Sequence, residues 1–181
     1  MKKVLLMGGE STGKSTLTIN LANRFNTNYI DEAGRNISER SGTDMMMLSE
    51  DFTEILLQHK LNEIKAIEHS NKVIFEDTDA LITQFFMGFL EDPGIEKNKA
   101  LSDAIDALNF YDLILFLEPD VEFVQDGDRS EEIRDNRGKY SDQIKDLILS
   151  HGKRFVIVSG SYEERYEKAI TEVNRLFEKE C

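Results

Sequence analysis

The stretch Val4-Leu5-Leu6-Met7-Gly8-Gly9-Glu10-Ser11-Thr12-Gly13-Lys14-Ser15 decides the fold. Four apolar residues read as a buried strand, and the eight that follow match G-x-x-x-x-G-K-S, the phosphate-binding loop. Gly8 and Gly13 permit backbone angles that other residues resist, so successive N–H groups can turn inward toward an anion. A helix opening near Gly13 adds the positive end of its dipole. In this pattern Gly8, Gly9, Glu10, Ser11, Thr12, Gly13, Lys14, Ser15 and Thr16 line the phosphates of a nucleoside triphosphate. Lys14 reaches the β/γ oxygens and the Ser15 hydroxyl is placed for Mg²⁺.

Downstream, apolar β-favouring runs alternate with helical periodicity. Leu17, Leu21, Ala22 and Phe25 mark one face of the first helix. A short strand is expected at Tyr29-Ile30, then a long helix over residues 50–70 with Leu57, Leu61, Ile64 and Ile67 at helical spacing. Val73-Ile74-Phe75 begins another strand, followed by helices over 80–90 and 97–108 that Asp92-Pro93-Gly94 separates. Leu113-Ile114-Leu115-Phe116-Leu117 and Phe155-Val156-Ile157-Val158 are the last strands. The terminal helix opens on a capping box, Ser161-x-x-Glu164, and carries Tyr166, Ala169, Ile170, Val173 and Phe177 on its apolar face. Continuous apolar strands between helices predict a parallel α/β sheet covered on both faces. Ligands of such sheets sit at the carboxyl ends of the strands.

That rule gathers several polar segments on one edge. Glu76-Asp77-Thr78-Asp79 ends a strand; a carboxylate there holds Mg²⁺ or accepts a proton from an attacking hydroxyl. Strand alternation puts Asp77 on the face of Val73 and Phe75 and sends Glu76 to the other. Asp77 is the candidate metal ligand or base, and Asp79 its rival, although Thr78 or Asp79 also suits a helix N-cap. Glu32 and Arg35 follow the Tyr29-Ile30 strand and can grip a polar acceptor. Arg129, Arg134 and Arg137 follow the fourth strand in an otherwise acidic chain, as in a lid that closes on phosphates. Interleaved Glu131, Glu132 and Asp135 equally suit a solvated, ion-paired helix for Arg134 and Arg137. The run Met45-Met46-Met47 and the pair Phe85-Phe86 read as packing, and His59 and His69 as surface or core residues.

Bulk properties narrow the partners. The chain has 181 residues, enough for one domain, and a net charge of −13 from 22 basic and 35 acidic residues. A surface of that sign disfavours nucleic acid and anionic membranes. The single cysteine, Cys181, excludes an internal disulfide, and three scattered histidines give no zinc pattern. With no signal peptide and no bilayer-length apolar run, the expected compartment is the cytoplasm.

Together these motifs resemble the kinase domain of the NadR-type proteins. The phosphate loop through Leu17, Glu-x-Gly-Arg at Glu32 to Arg35 and Asp77-Thr78-Asp79 occur there in this order. Tyr111 to Leu115, Asp126-Gly127-x-Arg129 and Tyr162-Glu163-Glu164-Arg165 continue it. The resemblance implies a P-loop nucleoside-kinase fold, five parallel strands in the order 2-3-1-4-5 with helices on both faces. It implies one kinase domain over residues 1–181 with a lid near 125–138. ATP and Mg²⁺ would lie on Lys14, Ser15 and Thr16, with Asp77 as metal ligand or base and Arg129 in the lid. Glu32, Arg35 and Asp79 would face the acceptor, with Tyr29 in place of an aromatic residue, often Trp in that family, that stacks on the nicotinamide ring. The loop before Tyr162 would lie near adenine. The implied activity is phosphorylation of ribosylnicotinamide to nicotinamide mononucleotide. A kinase for another nucleoside or nucleoside monophosphate, or an ATP-dependent regulatory module, are the alternatives.

Overall fold

A computed structural model describes residues 1–34, 37, 48–90, 92–124 and 131–178. Arg35, Met45 to Met47, Arg129 and Cys181, singled out in the sequence, lie outside the described residues. Five strands, β1 (Lys2–Met7), β2 (Tyr29–Ile30), β3 (Val73–Asp77), β4 (Leu113–Leu117) and β5 (Val156–Val158), form one parallel sheet. Their order is β2-β3-β1-β4-β5, as expected, with the phosphate-loop strand at the centre. The helices among the described residues include α1 (Lys14–Phe25), α2 (Ser49–Glu68), α3 (Ala80–Met87), α4 (Ile95–Leu108), α5 (Glu131–Asp135), α6 (Arg137–Ser150) and α7 (Tyr162–Glu178).

Strand alternation divides the core. Val4 and Leu6 of β1, Val73 and Phe75 of β3, and Leu115 and Leu117 of β4 face Leu17 and Leu21 of α1 and Ala169 and Val173 of α7. Leu5, Met7, Ile114 and Phe116 point the other way, onto Leu81 and Ile82 of α3 and Ile144 and Ile148 of α6. Phe85 and Phe86 pack as expected, in an aromatic group with Phe89 and Tyr140. The capping box of α7 forms in both directions: Ser161 N–H donates to Glu164 Oε2 at 2.8 Å, and Glu164 N–H to Ser161 Oγ at 3.3 Å.

One expected face is wrong. Leu57, Leu61 and Ile64 of α2 are about half exposed, at 49%, 50% and 51%. Phe52, Ile55, Leu56, His59 and Glu63 turn inward instead. The helix carries two apolar stripes, and it buries the one that meets Ala80 and Met87 of α3 and Ile105 of α4. His59 is therefore a core residue, while His69 is exposed.

Candidate active site

The phosphate loop leaves the carboxyl end of β1 in the conformation its glycines permit. Gly8 lies at φ +147°, and a Cβ there would stand 2.6 Å from the Leu117 carbonyl oxygen of β4. Gly13 lies at φ +83° and begins α1. Ser11, without glycine's freedom, is nevertheless held at φ +54°.

Cationic and hydroxyl groups hold the carbonyls of this loop. Gly9 O accepts from Lys14 Nζ and from Thr12 Oγ1, both at 2.9 Å. Ser11 O accepts from Arg137 Nη2 at 3.1 Å, and Thr12 O from Arg165 Nη1 at 2.6 Å. Occupying the carbonyls on one side leaves the N–H groups to face an anion. Lys14 is buried and Ser15 half-buried beside it, while Thr16 is exposed on α1.

β3 delivers Asp77 to this loop through its pairing with β1, in which Leu6 partners Asp77. Asp77 is fully buried, and among the described residues no hydrogen bond of good geometry reaches either carboxylate oxygen. Burial pushes its carboxyl up to about 6, opposed by Lys14 and by the nearby Ser15 hydroxyl, and reinforced by Glu32 and then Asp31. Those influences locate the site: Asp77 stands between the phosphate loop and the end of β2. Thr78 follows at φ +65°, a left-handed β-branched residue whose N–H bonds Leu6 O at 3.1 Å. Strain of that kind persists where surrounding structure enforces it, often at functional positions. The donor set, an unpartnered carboxylate beside a hydroxyl, suits the oxygen ligation that Mg²⁺ requires.

Other candidates separate. Glu32 is half-buried close enough to influence Asp77, and Tyr29 lies 38% exposed on the edge strand β2. Asp79 does not join them. It caps α3, its Oδ1 accepting from Leu81 N–H at 2.9 Å. Burial raises its pKa to about 6, with Asp106 reinforcing the shift and Lys153 opposing it. Its other carboxylate oxygen, Oδ2, is buried with no hydrogen-bond partner among the described residues. Arg134 is exposed and paired with Asp135 at 2.8 Å, the solvated reading. Arg137 is not: its Nη1 donates to Val121 O at 2.9 Å while Nη2 holds Ser11.

Two residues named in the sequence take roles that it did not assign to them. The first is Arg165, buried at 1% exposure beneath the loop. Its signal was its place in the first turn of a helix, the end a cation disfavours. The second lies behind Asp77, where Glu76 points into the opposite face. Burial pushes Glu76 up to about 8, so it is a carboxylic acid at neutral pH. Tyr111 Oη donates to it at 3.1 Å and His59 Nδ1 stands 3.4 Å away. Burial lowers His59 to about 4, leaving it neutral.

The family described as an AAA domain matches residues 3–165. The trifunctional NAD biosynthesis/regulator protein NadR of Salmonella typhimurium (strain LT2) is 32% identical over 179 residues. The same protein of Escherichia coli (strain K12) is 31% identical over 179 residues. Each alignment takes in 97% of this chain and 43% of the relative, so the chain spans less than half the length of either. A crystal structure of NadR in complex with NR superimposes with a TM-score of 0.83 at 26% identity, covering 97% of this chain and 51% of that one. Deoxyadenosine kinase of M. mycoides, with dCMP and dCDP, shares the fold: its TM-score is 0.72 at 13% identity, over 96% of this chain and 99% of that one. No helix among the described residues is long and apolar enough to cross a membrane. The chain is similar to the NadR proteins over part of their length, and it belongs to the AAA-domain family.

Proposed function

We propose that the chain is an ATP-dependent kinase that transfers the γ-phosphate to the 5′-hydroxyl of ribosylnicotinamide, giving nicotinamide mononucleotide. The observation that carries this is Asp77. Its buried, unpartnered carboxylate has Lys14 and Ser15 on the phosphate side and Glu32 on the other. A site built only to sense ATP has no need of a second carboxylate near Asp77, placed after β2 rather than at the phosphate loop. The relationship to NadR proteins, one of them in complex with NR, supports the choice of acceptor.

In this reading the phosphate loop and Lys14 bind and orient the triphosphate. Glu32 and Arg35 hold the acceptor, with Tyr29 against its ring. Asp77 holds the metal or takes the hydroxyl proton. The acceptor oxygen bonds to the γ-phosphorus as the bridge to the β-phosphate breaks and ADP leaves, with Arg129 offsetting charge on the transferred group. Ser15, together with Asp77 in its metal-holding role, would hold Mg²⁺, which would supply charge neutralisation at the phosphate oxygens.

The test is transfer from labelled ATP and Mg²⁺ to a panel of nucleosides and nucleoside monophosphates that includes ribosylnicotinamide. Expected is transfer to ribosylnicotinamide, abolished in Lys14→Ala and in Asp77→Asn. Transfer to a different acceptor replaces the substrate and keeps the kinase. ATP binding without transfer to any acceptor overturns the enzymatic reading in favour of a regulatory module.

A further inference from the structure

One guanidinium joins three segments around the nucleotide site. Arg165 donates from Nε to Gly160 O at 2.8 Å, from Nη1 to Thr12 O at 2.6 Å, and from Nη2 to Glu118 O at 2.8 Å and to the Asp120 carboxylate. Asp120 turns back to accept from Gly160 N–H at 2.8 Å, with Gly160 at φ +92°. Three acceptors are neutral carbonyls, and the carboxylate bonded to the guanidinium, Asp120, is 41% exposed. Burying a charge on such partners is costly, and an apolar side chain would fill the space more cheaply. What the guanidinium adds is direction, a rigid fork aimed at several oxygens at once.

The sheet order shows what that fork holds apart. Asp77 on β3 and Glu32 after β2 lie to one side of β1, whereas Glu118 and Asp120 after β4 and Gly160 after β5 lie to the other. A triphosphate in the loop whose terminal phosphate points toward Asp77 extends its nucleoside toward the β4 and β5 ends. There Tyr162, half exposed, lies against Gly13. Besides Arg165 on Thr12 O, the loop's carbonyls are held by Lys14 and Thr12 on Gly9 O and by Arg137 on Ser11 O. Among the described residues, Arg165 ties Thr12 to Glu118, Asp120 and Gly160 at once.

We infer that Arg165 is a positioning residue for the donor nucleotide: it sets the wall facing the nucleoside half at a fixed distance from the phosphate loop. This rests on the ATP reading above. The experiment compares wild type, Arg165→Lys and Asp120→Asn, each as the full chain, by KM for ATP, KM for the acceptor, and affinity for inorganic tripolyphosphate. Thermal melts run alongside. In Arg165→Lys the KM for ATP should rise about tenfold, while tripolyphosphate affinity stays within about twofold and acceptor KM is unchanged. Asp120→Asn, which keeps the fork and loosens one end, should shift ATP alone by a smaller factor.

A folded Arg165→Lys with wild-type KM for ATP overturns the proposal. So does an equal loss of ATP and tripolyphosphate affinity, which would make Arg165 a support of the loop itself. Should Arg165→Lys not fold, an unchanged KM for ATP in Asp120→Asn overturns it. A wild-type chain that binds neither ATP nor tripolyphosphate defeats the ATP reading itself, a result visible before any variant is made.

Discussion

The ring of Tyr162 occupies the space a side chain on Gly13 would need: a Cβ there would stand 2.8 Å from Cε1. Gly13 also sits at φ +83°, where L residues lose about 1–2 kcal/mol. The glycine of the phosphate motif is thus required by its own backbone, and a larger residue would also have to displace the half-exposed ring of Tyr162, some 150 residues later in the chain. Gly13→Ala should lower the melting temperature by about 3–6 °C and weaken ATP binding about tenfold or more. Gly13→Ala in a Tyr162→Ala background should recover part of the stability and little of the binding, because the strain at φ remains. Calorimetric melts and ATP titration of the two variants check this.

Glu76 predicts a pH dependence of stability. Its carboxyl ordinarily titrates at 4.5 and burial holds it near 8, so the folded chain binds the proton more tightly than the unfolded chain. The stabilisation is complete below pH 4.5 and is lost as pH rises through 8. Its slope approaches about 1.4 kcal/mol per pH unit inside that window. His59 acts in the opposite sense. Held near 4 against its usual 6.5, it favours folding above pH 6.5 and withdraws that support as pH falls toward 4. Glu76→Gln should therefore flatten the fall in melting temperature between pH 6.5 and 8, where His59 no longer titrates. A variant that declines as steeply as wild type would remove Glu76 from this role.

Arg134 and Arg137, three residues apart, should behave differently. Arg137 bonds the carbonyls of Ser11 and Val121, while Arg134 is exposed and bonds its neighbour Asp135. Arg137→Ala should weaken ATP and inorganic tripolyphosphate together, about fivefold or more, because it loosens the loop that binds the phosphates. For Arg134→Ala the same titrations should change by less than about twofold, as for most exposed ion pairs. Equal effects would mean that Arg134 also reaches the phosphates.

The two stripes of α2 give a packing test. Leu56 is 1% exposed among Phe52, Ile55 and Met87, and Leu56→Ala should cost about 2–4 kcal/mol. Leu61 is 50% exposed, and Leu61→Ala should stay within about 0.5 kcal/mol. Denaturant titration of both variants measures the difference. A large loss in Leu61→Ala would show that its stripe is covered in solution.

What the sequence by itself determined is local or periodic. The strand-loop-helix at Val4 to Ser15, the alternation that sends Asp77 and Glu76 to opposite faces, and the capping box at Ser161 each depend on neighbours a few residues apart. The parallel strand order followed from the family resemblance, and the carboxyl-end rule then brought Asp77 and the phosphate loop together. Tertiary structure decided the rest. Two apolar stripes on α2 satisfy helical periodicity equally, and only the helices it meets choose between them. Only the fold shows that the start of α3 takes one oxygen of Asp79 as a cap. Arg137 looks like one more charge in a mixed run until Ser11 O is found 3.1 Å from it. Arg165 and Thr12 lie 153 positions apart, and nothing near either residue signals the bond between them. The proton on Glu76 is settled the same way, by dry surroundings drawn from α2, β3 and Tyr111, because burial is a property of the assembled fold.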